Sequence, residues 1–79
     1  MSDKLPVLTG KELIKLLERW GFIVTRVKGS HHRMRNEDGR VTTIPLHKND
    51  PISKGLLRKI IREDLLLSFE EFNRLLEDK

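Results

Sequence analysis

Between Phe22 and Pro45 lie three short runs of strand-forming residues with almost nothing between them. Phe22-Ile23-Val24-Thr25-Arg26-Val27 is β-branched and aromatic, His31 to Asn36 follows, and Val41-Thr42-Thr43-Ile44 closes the series. Gly29-Ser30 permits a turn after the first run, and Asp38-Gly39 is a strong tight-hairpin signal after the second. Pro45 has no N–H to donate to a ladder and ends the third. Links this short exclude parallel pairing, which needs a crossover of a dozen or more residues. The three runs must form an antiparallel meander.

The flanks read as helices. Thr9-Gly10-Lys11-Glu12 is a capping box, with Leu8 and Leu13 at the staple positions around it. Leu13, Leu16, Leu17 and Trp20 then give one apolar stripe, and Gly21 supplies the stop. After the loop His47-Lys48-Asn49-Asp50-Pro51, Ser53 is an N-cap, with Ile52 and Leu57 as its staple. Leu56, Leu57, Ile60 and Ile61 are the expected buried stripe of a second helix. Ser68-Phe69-Glu70-Glu71 is a further capping box, stapled by Leu67 and Phe72, and opens a short third helix. The predicted order is α-β-β-β-α-α in a single α+β domain spanning 1–79, with both main helices on one face of a three-stranded antiparallel sheet. That is the topology of a double-stranded-RNA-binding domain with an additional C-terminal helix.

Size and charge narrow the function classes. With 79 residues, about 60% of the unfolded chain's surface can be buried, which leaves no room for a deep cavity around a small metabolite. No cysteine is present, so neither a disulfide framework nor a thiolate metal site is expected, which suits a reducing cytoplasm. The stretch from Met1 to Leu8 lacks the apolar run of a signal peptide, and no long apolar span is present, so a soluble protein without membrane attachment is expected. The net charge of +4 is unevenly spread: residues 1–67 carry +6 and the tail from Ser68 carries −2. A basic body with an acidic tail points to nucleic acid or an acidic protein as partner.

The charge concentrates around Lys28-Gly29-Ser30-His31-His32. From Arg26 to Arg35 there are four fixed cations (Arg26, Lys28, Arg33, Arg35) and no carboxylate. Strand alternation puts His31, Arg33 and Arg35 on one face and His32, Met34 and Asn36 on the other. Met34 marks the second face as the core side, so His31 stands among arginines on the open side. Histidine is the side chain best suited to take and give a proton near neutral pH. An imidazole among cations is what RNA cleavage without a metal needs: the cations hold the phosphates and the imidazole accepts the 2′-OH proton. A solvated histidine on a basic hairpin fits the same pattern.

Other candidates are less constrained. Lys28 precedes the turn, and the amides of Gly29 and Ser30 could approach a phosphate closely. His47 could supply a second proton-transfer group or be an ordinary loop histidine. Lys54 falls in the first turn of the second helix, where the dipole disfavours a cation by a few tenths to about 1 kcal/mol; a phosphate docked there would reverse that cost. The three histidines show no metal-ligand spacing, and no nucleophile elbow or phosphate loop occurs, so neither metal nor cofactor is expected.

The ordered set of motifs resembles the HicA (YcfA-like) toxins of bacterial and archaeal toxin–antitoxin pairs. Leu5-Pro6, Thr9 to Leu13, Leu17 to Phe22, Lys28 to His32, Asp38 to Thr42, Ile44 to Lys48, Gly55 to Ile61 and Ser68 to Leu76 follow that family's order. The resemblance implies the RNA-binding-domain fold and a cytoplasmic, metal-independent mRNA interferase, an endoribonuclease that arrests translation. It implies His31, directly after Gly-Ser, as catalytic general base, with Lys28, Arg33 and Arg35 holding the RNA backbone. It also implies a monomer when alone, and a hetero-oligomer with a HicB-like antitoxin that covers the active face. The sequence departs from the family pattern at Asn36-Glu37, Leu56 and Glu63-Asp64-Leu65. A non-catalytic RNA-binding or protein-interaction module of the same fold is the alternative.

Overall fold

The computed structural model describes residues 5–77. The order is α1 (Gly10–Arg19), β1 (Phe22–Lys28), β2 (His31–Asn36), β3 (Val41–Pro45), α2 (Lys54–Lys59) and α3 (Phe69–Glu77), with a π-helical turn, Ile60–Asp64, continuing α2. The chain is therefore α+β, with an antiparallel sheet in the order β1-β2-β3, as the turn signals require.

The caps form as read. The Thr9 hydroxyl accepts from the Glu12 N–H (3.2 Å) and the Glu12 carboxylate accepts from the Thr9 N–H (2.9 Å). Ser53 caps α2 through the Leu56 N–H. Ser68 and Glu71 exchange the same reciprocal pair ahead of α3, and the Ser68 N–H holds the Glu71 carboxyl below its usual range. Each bond satisfies a donor that the first helical turn would otherwise leave open.

The core lies against one face of the sheet. Phe22, Met34 and Ile44 point into it and meet Leu13, Leu17, Leu57, Ile60, Ile61, Leu65 and Phe72. The predicted stripes need two corrections. Leu16, Trp20 and Leu56 are only half-buried, because each sits at the edge of its helix's apolar stripe. The second helix is also not a regular α-helix to its end: the Leu65 N–H reaches back five residues to the Ile60 carbonyl (2.8 Å). That wider turn keeps Ile60, Ile61 and Leu65 all in the core. It also brings Asp64 against β3, where its Oδ2 accepts from the Thr42 hydroxyl (2.8 Å).

Arg40 fastens the same end of the molecule. It donates to the Asp38 carboxylate (2.8 Å) and the Leu65 carbonyl (2.7 Å), and its guanidinium lies 5.3 Å from the centre of the Phe22 ring. Buried Asn36 donates to the Trp20 carbonyl (3.1 Å) and accepts from the Asp38 N–H (3.1 Å). The β2–β3 turn is thereby tied both to the end of α1 and to the π turn.

Gly10 has a role that its place in a capping box does not reveal. It is buried, and a Cβ there would collide with the Pro45 carbonyl oxygen. The absence of a side chain lets the start of α1 lie directly on the end of β3. Gly10→Ala would gain up to about 1 kcal/mol in helix propensity, yet it must push the backbone of β3 aside. The expected result is a net loss of about 1–3 kcal/mol, measured by urea denaturation; an unchanged midpoint would refute this packing argument.

Candidate nucleic-acid interface

The position of the functional side chains depends on one irregularity in β1. Val24 pairs with Met34 and Arg26 with Arg33, so Thr25 is an extra residue, a β-bulge. Its hydroxyl donates to the Arg33 carbonyl (3.3 Å). Strict alternation from inward-facing Phe22 would turn Arg26 and Lys28 toward the core side. The bulge reverses the phase, so Arg26 pairs with Arg33 and Lys28 with His31 on the open face, while Val27 falls opposite His32.

The result is an open hollow of about 200 Å³ lined by Arg26, Lys28, His31, Arg33 and Thr43. No carboxylate occurs among the strand residues of this face. Arg26 directly opposite Arg33 is a like-charge cross-strand pair, which costs up to about 1 kcal/mol relative to a neutral one. Solvent screening reduces the penalty but does not change its sign. Folding gains nothing from this arrangement, whereas an anion in the hollow would relieve it.

The end of the hollow is held by the β1–β2 turn. Gly29 has φ +59°, a conformation that costs glycine little, and a Cβ there would meet no atom within 4 Å. Glycine is thus required for the shape of the turn, not for a close approach. The Ser30 carbonyl accepts from the Leu46 N–H (2.6 Å), and Pro45 is the cross-strand partner of His31. The segment leaving β3 is therefore fixed beside the turn.

His31, Lys28 and Arg33, all expected at one site, do come together. Arg35 shares their face but stands one step along, opposite Ile23 and Val41, and does not line the hollow. Gly29 and Ser30 form the turn without lining it. His47 is exposed two residues beyond Pro45, at the same end of the sheet. Lys54 opens the six-residue α2 and does not line this hollow. Arg26 and Thr43 are the residues that sequence reasoning did not assign to the site. The pairing of β3 with β2 could have found Thr43, which lies opposite Arg33; nothing in the sequence announces the bulge that delivers Arg26.

His32 lies on the inner face between Val27 and Ile44, half-buried. Its Nδ1 is buried without a hydrogen-bond partner among the described residues. No metal-binding group of His, Asp or Glu side chains occurs among the described residues, and no helix there is long and apolar enough to cross a membrane.

The sequence model of the family described as HicA toxin of bacterial toxin–antitoxin matches residues 10–64. The chain belongs to the HicA toxin family. The match runs from the first residue of α1 to the last residue of the π turn, so it contains the whole sheet and the hollow around His31. It stops short of α3. No curated protein matches the sequence significantly. As a HicA toxin, the chain has the toxin role of a toxin–antitoxin system, and membership of that family implies an antitoxin as its partner.

Proposed function

We propose that this HicA toxin is an mRNA-cleaving endoribonuclease in which His31 is the proton-transfer group and Arg26, Lys28 and Arg33 hold the RNA backbone. The observation that carries the reading is the hollow itself: one imidazole walled by three cations on a face with no strand carboxylate. His31 takes the proton of a ribose 2′-OH, and that oxygen attacks the adjacent phosphorus. The bond to the 5′-oxygen breaks, and the leaving oxygen regains a proton from the imidazolium or from His47. The products are a 2′,3′-cyclic phosphate and a 5′-hydroxyl. The cations neutralise charge developing on the non-bridging oxygens, where preorganised donors act most strongly. Their contacts to phosphate carry no sequence information and weaken as salt rises. Arg35 extends the cationic track along β2. An antitoxin of the HicB type covers the same face, presenting carboxylates where RNA presents phosphates.

Replacing the ribose at a cleaved bond by 2′-deoxyribose tests the chemistry directly. The expected result is full loss of cleavage at that bond alone, with cyclic-phosphate ends on RNA cut elsewhere and an unchanged rate in excess chelator. Cleavage at the deoxy position would refute attack by the 2′-oxygen.

A further inference from the structure

Beside the hollow, at the outer edge of β3, lies a second groove of about 330 Å³. The two share Arg33 and Thr43 in their walls, so the groove adjoins the hollow. Its lining joins β3 to the second helix and mixes apolar side chains (Val41, Leu56, Ile60) with Lys59 and Asp64. Asp64 is half-buried and fixed, with Oδ2 held by the Thr42 hydroxyl. Its Oδ1 takes no part in that bond. Apart from the His31 imidazole, the rest of the lining of the hollow and groove is cations, hydroxyls and aliphatic side chains. A carboxylate at this position is unfavourable for phosphate, so the groove is not simply more of the backbone track.

We propose that this groove is the seat of the nucleobase next to the cleaved bond, with Asp64 as the residue that selects it; the inference rests on the ribonuclease reading above. A base splayed out of a single strand offers a flat apolar face and a hydrogen-bonding edge, and the groove offers a surface for each. Val41 and Leu56, the apolar lining residues that keep exposed surface, pack on the face. Asp64, an acceptor only when ionised, takes the exocyclic amino group of guanine, adenine or cytosine. Uracil has no amino group; its one edge donor, N3–H, is flanked by two carbonyl oxygens that the carboxylate repels. Lys59 sits where the next phosphate leaves the groove. The π turn serves this purpose by bringing a carboxylate from a buried helix end to the edge of β3.

The test uses short RNAs that differ only in the nucleotides on either side of one cleaved bond, with all four bases at each, and compares kcat/KM for the wild-type protein and Asp64→Asn. Asparagine can still accept the Thr42 hydroxyl, and a melting curve checks that the fold is retained. The wild type is expected to favour amino-bearing bases over uracil at one flanking position by roughly 5–100-fold, the scale of a good polar base contact. In Asp64→Asn that ratio falls to about 3-fold or less, the loss being greatest on the amino-bearing bases. The same RNAs with 2′-deoxyribose at the cleaved bond, read as Kd, are expected to show the same ordering. An unchanged ratio, or an equal loss on all four bases, overturns the assignment and leaves the ribonuclease reading standing. Cleavage of none of the RNAs, with the base ordering kept in Kd, overturns the ribonuclease reading and leaves the base site. No base ordering in either measurement overturns the base site whatever the cleavage result.

Discussion

His31→Ala is expected to lower the rate of RNA cleavage by about 10²–10⁴-fold, the usual worth of a positioned general acid or base. The loss falls on the chemical step. His31 is exposed on the open face of the sheet, so truncating it opens no cavity, and the melting temperature should stay close to that of the wild type. Arg26, Lys28 and Arg33 remain, so RNA is still held, and Kd should rise far less than the rate falls. Induced expression of the variant in bacteria should no longer arrest growth. His32→Ala supplies the contrast. That ring is half-buried between Val27 and Ile44, so its removal should lower stability and leave the chemical step of the folded fraction intact. Equal cleavage by His31→Ala and the wild type, in protein shown to be folded, would remove His31 from the mechanism.

How far the sequence could be read depended on whether a feature is decided locally. The capping boxes at Thr9 and Ser68 are settled within four residues of chain, and both form. The meander follows from turn chemistry, and the sidedness of β2 follows from Met34. The family's motifs pointed to the same histidine that alternation selected, and the structure sets it in the hollow. The remainder is decided by contacts between distant segments. The Thr25 bulge shows no glycine to mark it; it is stabilised by a bond to Arg33 across the sheet. The π turn answers to the burial of Leu65 and to Thr42, twenty-two residues away from Asp64. Gly10 is dictated by Pro45. Each of these shapes the site: one aims Arg26 and Lys28, one delivers Asp64, and one sets α1 against the strand end that pairs with His31.

Phe72→Ala is expected to be the most damaging single substitution in the core, because α3 is fastened through that ring. The helix is nine residues long, too short to persist in water alone. Its Phe72 is fully buried and meets Trp20 edge to face, with ring centroids 5.6 Å apart at 88°. Truncation removes both the transfer free energy and the packing around the vacated space, about 3–5 kcal/mol together. A domain of this size has a total stability of only about 4–12 kcal/mol, so the variant should lose at least about a quarter of it. At roughly 4–8 °C per kcal/mol, the midpoint should fall by well over ten degrees, read by circular dichroism. Phe69→Ala is the control: that ring is half-buried with the Arg62 guanidinium 5.8 Å from its centre, and its loss should cost only about 1 kcal/mol. If α3 were an appendage to the family-matched body, Phe72→Ala would release the helix and leave the melting of the sheet unchanged. A single lowered transition shared by helix and sheet signals would instead place α3 in the same cooperative unit as the face that carries His31.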